Sequence, residues 1–223
     1  MWCIPPKENA AFVADMENVL DVYQRPADPR FPVICMDESN KQLIGDVQPP
    51  WPLQPGQVPK EDCNYVRQGT GNLFIAFEPA QGRRDVTVTE RRTRDDWAHY
   101  VKFIVDDFCP TAERITLVCD QLNTHALASL YATFTPVEAQ RLARKLELVH
   151  TPKHGSWLNM AEIEFSALSR QCLDRRIADR ALLAQEVAAW TQARNAHQTT
   201  VHWRFTTADA RIKLASLYPK LLP

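Results

Sequence analysis

The chain has 223 residues, 45% of them hydrophobic, which is enough for one α/β domain with a full core. Its formal net charge of −1 gives no overall electrostatic reason to expect a nucleic-acid partner. The N-terminal residues lack a basic start and an apolar core, and no apolar run approaches the roughly 18 residues that span a bilayer. The sequence therefore predicts neither a signal peptide nor a membrane partner.

The six cysteines show no Cys-x-x-Cys pair and no metal-ligand spacing. Two of them, Cys35 and Cys119, lie in apolar runs, where thiols pack as small hydrophobic groups. This usage is typical of a reducing compartment, and we predict a cytoplasmic location.

The first half of the chain predicts one helix, a buried strand and an antiparallel meander. Apolar residues recur at helical spacing over residues 7–23. After the strand of residues 31–37 come five prolines between Pro49 and Pro59, which cannot pair within a sheet and predict an extended arm over residues 46–62. Three further strands are predicted at residues 64–67, 72–77 and 85–89, with glycines marking the turns between them.

The second half alternates helices with buried strands. Thr93 is a good N-cap for a helix over residues 94–108. The elements that follow are a strand ending at Asp120, helices over 124–134 and 136–146, a strand over 146–150, and helices after Ser156 or Asn159, over 179–197 and after Thr206. Together these elements predict a mixed α/β domain.

Three acidic residues lie where separate elements could bring them together. Asp37 and Asp120 each end an apolar run typical of a buried strand, and ligands bind at this carboxyl edge of open α/β sheets. Glu162 follows the loop that begins at Thr151, at the edge of the buried face of a helix. Glu164 points some 200° away from Glu162, so the two glutamates cannot share one site.

Each acid also has a structural interpretation. Asp37 could be a turn or cap residue, Asp120 could cap a helix beginning near Asn123, and Glu162 could form a capping box with Asn159. If the three acids do converge, their mutual repulsion calls for a cation. Mg²⁺ prefers such oxygen ligands and keeps open positions for water.

Arginine outnumbers lysine 18 to 8, and its planar fork suits bidentate binding of phosphate. One cluster forms the candidate DNA-binding set together with Lys153: Arg83, Arg84, Arg91, Arg92 and Arg94. The alternative is that these arginines form a solvated face with interleaved acids such as Asp85.

Three blocks of sequence resemble the DDE transposases of the mariner-like superfamily, in particular the bacterial insertion-sequence 630 type. They are Asp37-Glu38 after an apolar strand, the Leu117–His125 block around Asp120, and the Thr151–Glu162 block, whose Pro-x-x-Ser-x-x-Leu-Asn-x-x-Glu pattern is the most specific. Gln121 departs from the family, which often has asparagine there, and the interval from Asp120 to Glu162 is longer than usual.

The resemblance implies a ribonuclease H-like fold, a mixed five-stranded sheet with helices on both faces. Residues 1–28 would be a linker helix region and residues 29–223 the catalytic domain. It also implies that Asp37, Asp120 and Glu162 bind two Mg²⁺ ions, with Mn²⁺ as a substitute, for cleavage and strand transfer at insertion-sequence ends. The DNA partners would be terminal inverted repeats and target DNA. Candidate supporting residues are Asn123, His125, His154 and Asn159.

Two further expectations follow from the resemblance. Relatives carry a helix-turn-helix region before the catalytic domain, and Met1 falls where they already enter the linker, so the sequence predicts no end-recognition region of its own. Relatives also extend an insertion to the partner subunit at the position of the proline-rich arm, which predicts a homodimer with Trp51 packed on the other chain. A nuclease that does not transpose and a non-catalytic DNA-binding or oligomerisation module are the alternative functions.

Overall fold

A computed structural model describes residues 4–5, 7–48, 55–56 and 62–220. Five strands form one mixed sheet in the order β3-β2-β1-β4-β5. Their bounds are β1 Val33–Asp46, β2 Tyr65–Glu78, β3 Arg83–Thr89, β4 Ile115–Cys119 and β5 Leu146–His150. The β1, β2 and β3 strands pair antiparallel, whereas β4 pairs parallel with both β1 and β5. The strands β1, β3, β4 and β5 therefore run in the same direction, toward one end of the sheet.

The first hairpin is longer than the sequence predicts. Residues 64–67 and 72–77, predicted as two strands, are parts of the single strand β2, and β1 continues nine residues beyond Asp37. The glycine at position 69 is a bulge instead of a turn: its φ is 93° and the register between β1 and β2 shifts there. A bulge absorbs one extra residue while pairing continues on both sides, so the prediction of a turn at this glycine was wrong.

Seven helices are described, and most match their predicted positions. They are α1 Ala10–Tyr23, α2 Arg94–Phe103, α3 Leu127–Thr133, α4 Pro136–Lys145, α5 Ala161–Leu168, α6 Arg180–Ala196 and α7 Thr207–Lys213. Thr93 caps α2 in a capping box with Asp96. The α2 and α5 helices each continue into a short π-helical turn, Ile104–Phe108 and Ser169–Leu173.

Helices cover both faces of the sheet, and each face has its own apolar core. Alternate residues of β1 point to opposite faces: Cys35 joins the core formed with α1, α5, α6 and α7, while Ile34 and Met36 join the core formed with α2, α3 and α4. The buried face of α1 is part of the first core. This is the arrangement expected of a ribonuclease H-like fold. Among the described residues, no helix is both long and apolar enough to cross a membrane.

The predicted proline-rich arm falls largely outside the described residues, and so does Trp51. The base of the arm is described. Arg176 binds both sides of it, with Nη1 2.7 Å from Asp46 Oδ1 and 3.3 Å from the Asn64 carbonyl oxygen, and with Nη2 2.5 Å from the Asp62 carbonyl oxygen. One side chain thus holds the two ends of the arm together.

Candidate active site

Parallel pairing of β1 with β4 brings the two aspartates to the same end of the sheet. Cys35 pairs with Val118 in this register, and continuing it by two residues places Asp37 beside Asp120. The β4 strand ends at Cys119, whereas β1 continues along β2. Asp37 therefore lies within a long strand, at the point where its β4 neighbour has stopped, and not at a strand end as the sequence predicts.

The loop before α5 is held against β1 by Asn159, which is buried. Its Nδ2 donates to the Met36 carbonyl oxygen at 2.8 Å and lies 3.4 Å from Asp37 Oδ2, while its Oδ1 accepts from the Ala161 amide at 3.1 Å. The Tyr23 hydroxyl of α1 donates to the Leu158 carbonyl oxygen at 2.8 Å. These contacts place the start of α5, and with it Glu162, beside the aspartates.

A tight turn earlier in the same loop reverses the chain after β5. The Gly155 amide donates to the Pro152 carbonyl oxygen at 2.7 Å, and His154 has a φ of 65°. A Cβ atom at position 155 would lie 2.5 Å from Pro152 Cγ, so only glycine fits here. The turn leads into the short helix that contains Ser156, whose hydroxyl binds the Glu162 carboxylate.

Electrostatics show that the three acids interact. The pKa of Asp37 is raised to about 7: burial is the largest cause, the hydrogen bond from the Glu38 amide opposes it, and the negative charges of Glu162 and Asp120 add to it. Partial desolvation of its carboxyl group and the charge of Asp120 also raise the pKa of Glu162, although the Ser156 hydrogen bond opposes them. Negative charge is therefore under-compensated at this end of the sheet.

Asp120 differs because a histidine neutralises it. Burial acts to raise its pKa, but the hydrogen bond and charge of His125 outweigh this effect and the pKa is lowered. The Nδ1 atom of His125 lies 2.6 Å from Asp120 Oδ1, and its Nε2 lies 3.4 Å from Glu38 Oε2. Burial would lower the pKa of His125, but the bond to Asp120 leads the contributions that raise it to about 12.

The donor set suits a hard divalent cation, because it consists of carboxylates whose mutual repulsion such a cation would relieve. Among the described residues, however, no group of three or more His, Cys, Asp or Glu side chains is close enough together to hold a metal ion. His125 and Ser156 engage the carboxylates of Asp120 and Glu162. The chemistry of the residues fits the metal, and the ligand assignment remains a prediction.

Several other predicted residues have clear positions. Glu164 is directed away from the aspartates, as predicted: it is fully buried, with Oε2 2.9 Å from Arg84 Nε and 2.7 Å from Arg194 Nε. Asn123, Lys153 and His154 are exposed around the end of the sheet that carries the acids.

The prediction that Arg84 binds DNA was wrong. Arg84 is only 2% exposed, and its guanidinium lies against Glu164 and the ring of Phe77. Residues alternate between the two sides of a strand, and position 84 of β3 faces inward toward α6. Arg83 is half-exposed, and its guanidinium contacts Glu78 and packs over the ring of Phe108.

The remaining candidate arginines lie at the same end of the sheet as the acids. The β3 strand runs in the same direction as β1, so Arg91, Arg92 and Arg94 follow its carboxyl end, and all three are exposed. Lys153 follows the carboxyl end of β5 at the opposite edge. Exposed basic side chains thus flank the acids on both sides.

Sequence reasoning missed Glu38 and Ser156 as parts of the site. Both stand in the motif blocks beside named acids, but the alternation of side chains along a strand sends Glu38 to the opposite face from Asp37. That face carries His125, stacked on Trp97 with ring centroids 5.5 Å apart. Glu38 is therefore connected to Asp120 through His125, around the end of the sheet, and this connection depends on tertiary structure.

Comparison with solved structures shows the fold. The chain is similar to the Mos1 transposase paired-end complex with the left transposon end, at 12% identity and a TM-score of 0.58 over 97% of this chain and 66% of that one. The chain is also similar to the Mos1 paired-end complex with Mg, at 12% identity and a TM-score of 0.56 over 98% of this chain and 66% of that one. For the catalytic domain of Mos1 mariner transposase, the identity is 10% and the TM-score 0.55, over 88% of this chain and 92% of that one. The fold is thus ribonuclease H-like, as expected.

This chain spans about two thirds of the length of the first two Mos1 chains. No curated protein gave a significant sequence match. Residues 32–184, which include all three candidate acids, match the family described as DDE superfamily endonuclease. Because this match covers more than half of the sequence, the chain belongs to the DDE superfamily of endonucleases.

Proposed function

We propose that this chain is the catalytic domain of a transposase of the mariner-like, insertion-sequence 630 type, acting in the bacterial cytoplasm. The observation that supports the proposal is electrostatic: burial and the charges of neighbouring acids raise the pKa of Asp37 and of Glu162 at the end of the sheet that carries Asp120. Such under-compensated charge destabilises the metal-free protein and is typical of functional sites.

In this proposal the three carboxylates hold two Mg²⁺ ions, with Mn²⁺ as a substitute. When bound, a pair of divalent ions stabilises both the attacking and the leaving oxygen of an in-line displacement at phosphorus. Asn159 orients Asp37 through Oδ2, and Ser156 orients Glu162.

The DNA partners in this proposal are terminal inverted repeats and target DNA. The exposed arginines that follow β3 and Lys153 beyond β5 would contact phosphates on either side of the acids, which brings the scissile bond to the end of the sheet. Phosphate contacts position the duplex without reading its sequence.

Substitution of Asp120 by Asn tests the catalytic assignment. The amide keeps the acceptor oxygen for His125 but removes a charged ligand, so metal-dependent DNA cleavage should fall by roughly a thousand-fold, the several kcal/mol that metal-ion catalysis supplies. Cleavage is measured on supercoiled plasmid with Mg²⁺ or Mn²⁺. Asp107→Asn, an exposed acid after α2, is the control and should retain full activity. Full activity in Asp120→Asn would contradict the assignment.

The same assay separates transposition from the alternative functions when it includes a DNA carrying the element ends. A transposase both cleaves and joins strands. Metal-dependent nicking without any joined product would instead support a nuclease, and a lack of Mg²⁺ and Mn²⁺ binding would support a non-catalytic module.

We also propose a homodimer formed through the proline-rich arm. Its apolar residues, among them Trp51, are stabilised by burial against another surface. A proline-stiffened segment loses less entropy on docking than a flexible one. Arg176 holds the base of the arm in place. Deletion of residues 48–59 should convert the dimer to a monomer, as measured by light scattering. An unchanged dimer would refute the role of the arm.

A further inference from the structure

Three side chains form a connected path behind the acidic site: Glu38, His125 and Asp120. The side chain of His125 is fully buried, and each of its ring nitrogens contacts a carboxylate. The Glu38 side chain is 6% exposed, so this end of the path is closed to solvent as well. The path begins on β1, crosses to the loop after β4, and ends on a proposed metal ligand.

The imidazole ring is fixed by its surroundings. It stacks on the indole of Trp97 at an interplanar angle of 22°. The backbone of His125 is held by β5, since His150 Nε2 donates to the His125 carbonyl oxygen at 2.9 Å. Neither the ring nor its backbone can rotate without breaking a contact, so the position of Nδ1 is determined by three elements.

This fixed nitrogen determines which oxygen of Asp120 is available. His125 Nδ1 lies 2.6 Å from Oδ1, and the Leu122 amide donates to the same oxygen at 3.3 Å. Because Oδ1 takes both of these contacts, Oδ2 is the oxygen left for an incoming cation. Groups that bind the ligands of a metal commonly set the orientation of those ligands.

We propose that His125 is a positioning residue for metal binding: it holds Asp120 so that Oδ2 faces the metal, and Glu38 holds His125. This inference rests on the proposed function. It assigns to Glu38, the neighbour of Asp37 in sequence, a role on the other aspartate, which it reaches through the histidine.

Calorimetric titration of the protein with Mn²⁺ alone tests the proposal. His125→Ala should raise the dissociation constant for Mn²⁺ by about 10- to 100-fold, the usual cost of losing a group that orients a ligand. In His125→Asn the amide nitrogen takes the place of Nδ1 and should recover most of the affinity. Glu38→Ala should weaken binding less than His125→Ala does, because Nδ1 remains. His202→Ala, at an exposed histidine, is the matched control and should bind as the wild type does.

A kinetic measurement separates positioning from general structural damage. In His125→Ala the Mn²⁺ concentration for half-maximal DNA cleavage should rise by at least about tenfold, while cleavage at saturating Mn²⁺ stays near the wild-type rate. Thermal unfolding followed by circular dichroism verifies that each variant is folded. If His125→Ala does not fold, the proposal is tested with His125→Asn and Glu38→Ala. Near-normal Mn²⁺ affinity in His125→Asn, together with a measurable loss of affinity in Glu38→Ala, supports the proposal.

The opposing outcomes are distinct. Wild-type affinity for Mn²⁺ in His125→Ala, or no recovery in His125→Asn, would overturn the positioning role and leave the proposed function standing. A wild-type protein that binds no Mn²⁺ would overturn the proposed function and this inference together.

Discussion

Two glutamates on α5, separated by one residue, lie in opposite electrostatic environments. Glu164 belongs to a buried ion-pair cluster with Arg84 and Arg194, in which two cations surround one anion. Glu162 belongs to the acidic site with Asp37 and Asp120, where negative charge is under-compensated and the pKa of Glu162 is raised. The ion-pair cluster ties α5 to β3 and α6.

The difference shows how the two kinds of charge cluster can be distinguished. A buried charge that serves the fold is paired within the fold, because an unpaired one would cost several kcal/mol. A set of acids left under-compensated costs stability in the metal-free protein, and such a cost is expected where a cation binds.

Breaking the ion-pair cluster should have the largest effect on stability. Glu164→Gln leaves the buried Arg84 guanidinium without its anion, so the free energy of unfolding should fall by about 3–5 kcal/mol. Urea denaturation measures the change. The control is Glu186→Gln, which removes a partly exposed partner of the exposed Arg175 and should cost less than about 1 kcal/mol. Equal losses in both variants would refute the contrast.

Neutralising Asp37 should stabilise the metal-free protein. Its pKa of about 7 lies above the ordinary value of 3.8, so the folded state binds the proton more tightly than the unfolded state. Between these values each rise in pH lowers stability, and above pH 7 the whole cost is present. Asp37→Asn removes this cost.

The expected gain is on the order of 2–4 kcal/mol at pH 8, and smaller at pH 5. Urea denaturation with a chelator at both pH values measures it. A gain in stability that does not depend on pH would contradict the raised pKa of Asp37. Mg²⁺ added without chelator should narrow the difference at pH 8, because bound metal stabilises the wild type.

The exposed arginines should affect DNA binding and leave the fold unchanged. Replacing Arg91, Arg92 and Arg94 by Ala should weaken binding of duplexes regardless of sequence, and should reduce the slope of log affinity against log salt by about 0.9 for each lost phosphate contact. Fluorescence anisotropy at several salt concentrations measures the slope. An unchanged slope would place the DNA elsewhere on the surface.

Glu162→Gln should have the smallest effect on stability. The residue is exposed, so solvent screens much of its repulsion with Asp120, and the metal-free protein should gain less than about 1 kcal/mol at pH 8. Thermal unfolding is sufficient to measure this. A loss comparable to that of Glu164→Gln would show that Glu162 also serves the fold.

Much of the fold could be predicted from local patterns. The helix limits follow from apolar spacing and from caps such as Thr93 and Thr206, both of which form capping boxes. The buried strands β4 and β5 follow from continuous apolar runs. The β1–β2 hairpin was mispredicted because bulged glycines and exposed strand residues resemble turns when cross-strand pairing is unknown.

For the site, the sequence by itself determined which acids are candidates and that Glu164 lies off the face of Glu162, since helical geometry is a local property. Only tertiary structure decided that Arg84 is buried, because the outer and inner positions of β3 depend on where α6 packs. It also decided that Glu38 reaches Asp120 through His125. Such a path joins residues 87 positions apart across the end of a sheet, and sequence spacing carries no information about it.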